Sequence, residues 1–276
     1  MFRKPLKVWI PAMAGAAMLM LFNPSGAFAA GGAGGAAAAL PWEGPLNQVL
    51  ASFTGPVAKA LAELEVNQRD SKASVRRLKQ AGFCSDKDLS GFDFTAVPGL
   101  NKKKVLDLFT CRFIEEKASV ILVGAPGVGK SHIATSLGRE ACRRGHGVKF
   151  FTASHLVNTY LEAREQRQVM RLESNIRKKD LIIVDELGYL PMDTRGAEHL
   201  FGFFSQCYEQ VSLIVTTNLP FAEWPGIFAG DARLAGAVID RLTHRVHIVE
   251  ITGESYRLKQ SLKTAEKGET RPPAKS

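Results

Sequence analysis

The chain of 276 residues carries 36 Lys and Arg against 27 Asp and Glu, a formal net charge of +9, with 45% hydrophobic and 23% charged residues. That balance excludes a disordered or fibrous chain, and the length admits one large domain or one domain with an appendage. The basic excess fits an anionic partner, either nucleic acid or an acidic membrane surface, or else a generally basic solvated surface.

The chain opens with a basic segment, FRKPLK, then the apolar run VWIPAMAGAAMLMLF, then Ala27-Phe28-Ala29. Basic, apolar and small-residue elements in that order define an export signal over residues 1–29. The apolar run is short for a membrane span and is interrupted by Pro11 and Gly15, so an uncleaved membrane anchor is the alternative. Residues 30–62 form a low-complexity and amphipathic segment. Within it, AALPWEGPLNQVLASFTGPVAKAL resembles the start of a mature conjugative pilin of the TrbC/VirB2 family. That resemblance implies two apolar membrane helices, the first starting near TGPVAKAL. Here the apolar run stops at Leu61, and AELEVNQRDSKASVRRLKQ continues as a charged helix. Residues 63–115 are read as a helical N-terminal part that leads into a larger domain.

That domain, residues 116–263, begins with the apolar run SVILV. It passes through Gly124-Ala125-Pro126-Gly127-Val128-Gly129-Lys130-Ser131 and His132, and leaves in the helical pattern SHIATSLGREACRR. This is G-x-x-x-x-G-K-[ST] between a strand and a helix, a cradle for the phosphates of ATP. Glycines let backbone N–H groups turn inward where a Cβ would collide. Lys130 would reach the β- and γ-phosphates, Ser131 would offer its hydroxyl to Mg²⁺, and the helix N-terminus adds its dipole. The set expected to hold the nucleotide is therefore Gly124 to His132.

Farther on, DLIIVDELG reads as a buried parallel strand, Leu181 to Val184, that ends in Asp185-Glu186. On a strand next to that of the phosphate loop, Asp185 would hold the water shell of Mg²⁺ and Glu186 would act as general base. A further buried strand, SLIVTTNLP, puts Asn218 at its tip, where its amide reaches the attacking water or the γ-phosphate, or else simply ends the strand. In AGAVIDRLTHRVHIVEI, Arg241 closes a helix before the last strand. It either pairs with a local carboxylate such as Asp240 or projects at a neighbouring subunit's γ-phosphate. His244 and His247 read as surface or capping histidines. The apolar-poor residues 264–276 read as a disordered tail.

Five apolar strands, at 120–123, 148–152, 181–185, 212–216 and 246–251, alternate with helical stretches. That pattern gives an α/β fold, a five-stranded parallel sheet with helices on both faces and the ligand at the carboxyl ends of the strands. Four scattered cysteines with no CxxC pair argue against a zinc site or a disulfide framework.

These motifs, with RRLKQAGF, GFDF, LGREACRRG, DELGYLP, VTTNLPFAEW and GESYRLK, resemble the IstB-type transposition helper ATPases. Those are relatives of the DnaC helicase loader within the AAA+ class of P-loop NTPases. The resemblance runs from about Glu63 to Lys263. It implies an AAA+ strand order with a minimal C-terminal lid, and ATP-dependent homo-oligomers on double-stranded DNA. It also implies delivery of a target to a partner transposase of the IstA type. Carried onto this chain, Lys130 and Ser131 are Walker A, Asp185 and Glu186 Walker B, Asn218 sensor 1 and Arg241 a trans arginine finger. Arg257 in SYRLK is a further residue that approaches the nucleotide.

For DNA, Arg164, Arg167, Arg171 and Lys178 share one face if residues 164–178 form a single helix, although Glu162, Glu165 and Glu173 equally suit a solvated salt-bridged face. Taken together, a pilin-like leader joins a nearly complete helper ATPase near residues 60–65. The working protein is then expected in the cytoplasm, with a fraction held at the inner membrane by its leader. A helicase loader of the same fold, or an envelope component of a conjugation apparatus with a passenger ATPase, are the competing functions.

Overall fold

The computed structural model describes residues 43–189, 191–257, 259 and 261. The signal-like residues 1–29, the start of the pilin-like segment and the tail 264–276 lie outside the described residues. Helix α1 (Glu43–Ala81) is followed by two 3₁₀ turns, Leu89–Gly91 and Phe94–Ala96, and by the short helices α2 (Lys102–Leu108) and α3 (Arg112–Glu115). Then come β1 (Ser119–Gly124), α4 (Lys130–Arg143), β2 (Val148–Thr152), α5 (Ala153–Glu165), α6 (Val169–Arg177) and β3 (Leu181–Leu187). The chain continues through α7 (Thr194–Cys207), β4 (Ser212–Thr217), a 3₁₀ segment (Phe221–Gly226), α8 (Ala232–Thr243) and β5 (Val246–Ile251). The division between the chain's two units falls after Leu61, within α1.

All five strands are parallel, in the order β2-β3-β4-β1-β5. The three central strands β1, β3 and β4 carry uninterrupted apolar runs because both their faces are covered, whereas β2 and β5, at the edges of the sheet, include Lys149, His247 and Glu250. Alternate residues serve opposite cores. Val120, Leu122, Leu181, Ile183 and Ile214 pack with Ile133, Leu137 and Ala141 of α4 and with α2. Ile121, Ile182, Val184, Leu213 and Val215 pack with α5, α7 and α8 through Leu156, Phe203, Phe204 and Val238. Helix starts are capped by short polar side chains: Asp193 accepts from the Gly196 N–H, and Asp231 from those of Arg233 and Leu234.

Two expectations are corrected. Strand β3, with Asp185, does not lie beside β1; β4 sits between them. A run of apolar residues specifies burial on both faces and carries no record of which neighbour it pairs with. Nor is 164–178 one helix: α5 stops at Glu165, α6 starts at Val169, and Arg167 between them takes a left-handed φ of 55°. The four basic residues therefore do not form one helical stripe. Cys111, Cys142 and Cys207 are buried free thiols and Cys84 an exposed one. Among the described residues, no helix is long and apolar enough to cross a membrane.

Candidate nucleotide site

At the carboxyl end of β1 the backbone turns through Gly127 and Gly129, whose φ angles are 83° and 103°. A side chain would be strained there and would also collide: a Cβ on Gly129 would lie 2.7 Å from the Phe92 ring, and one on Gly127 would strike Ser255. From this turn α4 begins at Lys130. The Lys130 Nζ donates to the carbonyls of Gly124 and Ala125 at 2.8 and 2.9 Å. Burial lowers its pKa from the usual lysine value; the charges of Asp185 and Glu186 oppose that shift and Arg257 adds to it. A partly desolvated cation at a helix N-terminus suits a polyphosphate, whose negative charge would favour the ammonium form further.

Ser131 Oγ donates to Asp185 Oδ1 at 2.8 Å, and Asp185 is only 6% exposed. A hydroxyl that gives its hydrogen to a carboxylate keeps its lone pairs for a cation. Asp185 and Ser131 could thus hold Mg²⁺ together with phosphate oxygens. Among the described residues no group of three or more His, Cys, Asp or Glu gathers to hold a metal. A cation that keeps most of its water and shares phosphate ligands needs no such cage. Thr216 Oγ1 is a second donor to Asp185 Oδ1, at 2.5 Å, and accepts the Glu186 N–H at 2.9 Å. Sequence reasoning passed over Thr216. Its one visible signal is a polar pair, Thr216-Thr217, that follows the apolar run Leu213 to Val215 in a buried strand.

A groove of about 230 Å³ joins Gly127 through His132 to Phe92, Val97, Tyr256 and Arg257. The GFDF motif therefore lies against the phosphate loop. His132 faces this linker: its Nε2 lies 2.8 Å from the Asp88 carbonyl, and its ring meets Phe92 edge-on. Arg139 joins Asp86 and Asp88 at 2.6 and 3.0 Å, and Arg143 reaches Asp88 at 2.8 Å. Although burial pushes the other way, these arginines hold the Asp88 carboxyl below its usual pKa. The Tyr256 N–H, on the segment after β5, donates to the Gly127 carbonyl at 3.1 Å and so holds that segment on the loop.

The remaining expected residues are distributed differently. Glu186 is exposed, with a left-handed φ of 61°, and lines a separate groove with Ser154, Asn158 and Tyr189. Asn218 comes directly after β4 at the same carboxyl edge as Asp185 and is half-buried. Arg241 lies at the other edge of the sheet, in a groove with Lys117 and with Ser119, the first residue of β1. No ion pair joins it to Asp240; its Nη1 donates to the Ala237 carbonyl at 2.7 Å and its guanidinium covers the Phe201 ring. Six residues of β1, roughly 20 Å, separate it from its own chain's phosphate loop.

The sequence profile of the IstB-like ATP binding protein family matches residues 47–264. This chain belongs to that family. It is a P-loop ATPase. The family match begins well before residue 63 and takes in much of the segment likened to a pilin. The ATP-binding protein of insertion sequence IS21 from Pseudomonas aeruginosa is 41% identical over 199 residues, 72% of this chain and 75% of that relative. The corresponding protein of IS5376 from Geobacillus stearothermophilus is 37% identical over 210 residues, 75% of this chain and 82% of the relative. Among solved structures, AMPPCP-bound DnaA from Aquifex aeolicus superposes with a TM-score of 0.52 at 19% identity, over 68% of this chain and 57% of that one. That likeness is one of fold: the IstB-like chain shares an α/β P-loop architecture with it.

Proposed function

We propose that this IstB-like ATPase works as an oligomer on double-stranded DNA, hydrolysing ATP with Mg²⁺ to assist a partner transposase. The observation that carries the assembly is the separation of Arg241 from its own phosphate loop across the length of β1. An arginine there stabilises transferred-phosphoryl charge only in a neighbouring copy. Its backbone hydrogen bond and its stacking on Phe201 fix it at that edge. The insertion-sequence relatives favour transposition over helicase loading.

In this scheme the loop N–H groups and Lys130 bind the β- and γ-phosphates, while Ser131 and Asp185 would hold Mg²⁺, which neutralises phosphate charge when bound. Glu186 accepts a proton from the water that attacks the γ-phosphorus, and the bond to the ADP oxygen breaks. Asn218, at the same strand edge, orients that water or the γ-phosphate. Arg257 and His132 border the nucleotide, His132 chiefly by anchoring the linker. Basic residues outside the groove supply contacts to DNA phosphates; Arg164, Arg167 and Arg171 are exposed on and between α5 and α6. ATP hydrolysis measured with and without duplex DNA tests this function. We expect stimulation by DNA that fades steeply with added salt and depends little on sequence. Equal rates with and without DNA at low salt would overturn the DNA-linked role.

For residues 1–29 we propose an export-type leader that leaves the ATPase in the cytoplasm, with a fraction of the chain at the inner membrane. Hydrolysis needs ATP, and buried free thiols suit a reducing compartment.

A further inference from the structure

Strand β4 is apolar from Leu213 to Val215 and turns polar at Thr216, whose side chain is wholly buried. A buried hydroxyl is costly unless it is hydrogen-bonded, and Thr216 uses its hydroxyl both ways. It donates to Asp185 Oδ1 and accepts from the Glu186 N–H. The second bond falls where the sheet is interrupted. Val184 pairs with Val215 and Leu187 with Thr217, with a register shift between them, and Glu186 in the shifted stretch is left-handed. The bulge takes the Glu186 N–H out of the regular ladder, and the Thr216 hydroxyl accepts it. A left-handed non-glycine residue is strained and persists only where surrounding bonds hold it.

The strand order explains why this residue does the work. Because β4 lies between β1 and β3, Thr216 stands between the strand that carries the phosphate loop and the strand that carries Asp185. The β-branched side chain is stiff about χ1, so one rotamer serves both partners. Ser131 donates to the same Asp185 oxygen, and neither hydroxyl occupies Oδ2.

We propose that Thr216 is a positioning residue for ATP hydrolysis. Its single hydroxyl sets the Asp185 carboxylate against Ser131 and pins the bulged backbone from which Glu186 projects. Thr216 touches neither nucleotide nor water and acts through these two carboxylate residues. The role rests on the proposed assignment of Asp185 to Mg²⁺ and of Glu186 to the attacking water.

The test uses the full chain and the variants Thr216→Val, Thr216→Ser and Thr216→Ala. Three quantities are read: affinity for a fluorescent ATP analogue in EDTA and in Mg²⁺, the Mg²⁺ dependence and kcat of hydrolysis, and the thermal midpoint. Thr216→Val should bind the analogue in EDTA as the wild type does. It should gain less affinity from Mg²⁺ and lose about 10- to 100-fold in kcat, the usual cost of removing a group that orients a metal-binding side chain. Thr216→Ser should stay near wild type. If Thr216→Val does not fold, the Ser and Ala variants, which differ only by the hydroxyl, make the same comparison. Wild-type kcat and Mg²⁺ dependence in a variant without the hydroxyl would overturn the role. So would a Ser variant as impaired as Val or Ala. A wild-type protein that gained nothing from Mg²⁺ in binding or hydrolysis would instead overturn the metal assignment, and this role with it.

Discussion

Lys130 and Glu186 do separable work, although the charges of both Glu186 and Asp185 reach the Lys130 ammonium. Lys130 is half-buried and held by two carbonyls of its own loop, a position from which it can transfer its bonds to phosphate. Lys130→Ala should therefore abolish ATP binding. Glu186→Gln keeps the size of the side chain and removes its basicity, so it should bind ATP normally and lose at least about 100-fold in hydrolysis, at the low end of a general base's contribution. Equilibrium binding of a fluorescent ATP analogue, with phosphate release in parallel, distinguishes the two. Equal nucleotide affinity for wild type and Lys130→Ala would sink the assignment of the phosphate loop. The left-handed backbone at Glu186 and its place in a second groove show that the Asp-Glu pair splits at the strand end, Asp185 buried and Glu186 exposed.

At the scale of elements, the linker between α1 and α2 is tied to the helix that begins at the phosphate loop. Asp88 accepts from Arg139 and Arg143, the Ser136 hydroxyl donates to the Lys87 carbonyl, and His132 meets the Asp88 carbonyl. Asp86, 95% exposed, adds little, whereas Asp88 is 33% exposed and gathers two arginines. Replacing Asp88 with Asn should lower stability by about 1 kcal/mol at neutral pH. The Asp88 pKa is lowered in the folded chain, so its contribution is present above the ordinary carboxylate value of 3.8. It is lost as pH falls through the folded value. Thermal midpoints of wild type and Asp88→Asn should thus converge on acidification below about pH 4. A difference that persisted unchanged at pH 3 would show that the pair is not what Asp88 contributes. The break between α5 and α6 belongs to this scale too, since a left-handed residue at Arg167 divides what the spacing of basic residues suggested was one stripe.

For the whole molecule, the sheet holds the phosphate loop at one edge and Arg241 at the other, and the proposed trans role of Arg241 rests on that separation. Arg241→Ala should lose hydrolysis while keeping ATP binding. Mixing it with Glu186→Gln protein should restore part of the activity, because one mixed interface then joins an intact Glu186 site to an intact Arg241. No recovery at any mixing ratio, with co-assembly shown by size-exclusion chromatography, would assign Arg241 to a structural role on Phe201. Location is tested by fractionating cells that express a C-terminally tagged chain. The tag should appear chiefly in the cytoplasmic fraction with a minor inner-membrane share. A dominant periplasmic band beginning at Ala30 would overturn that placement.

The phosphate-loop motif and the ATPase class it points to were legible in the sequence alone. G-x-x-x-x-G-K-[ST] needs only contiguous residues, because a loop that wraps a phosphate is built from its own backbone. The central strands were legible for a related reason: burial on both faces demands continuous apolar runs, and those of β1, β3 and β4 end where the strands end to within a few residues. Asp185 was found as the polar residue that ends such a run. Pairing was not legible, since an apolar strand fits many neighbours, and only the folded sheet inserts β4 between β1 and β3. That insertion brings Thr216 to Asp185, residues far apart in the chain and joined by one hydroxyl. Likewise GFDF gave no chemical reason for its composition until Phe92 came to lie against Gly129 and His132. Motifs that bind through their own backbone are written in order along the chain. Partners that meet across strands or through a linker exist only after the sheet has closed, because the energy that selects them is that of packing between distant segments.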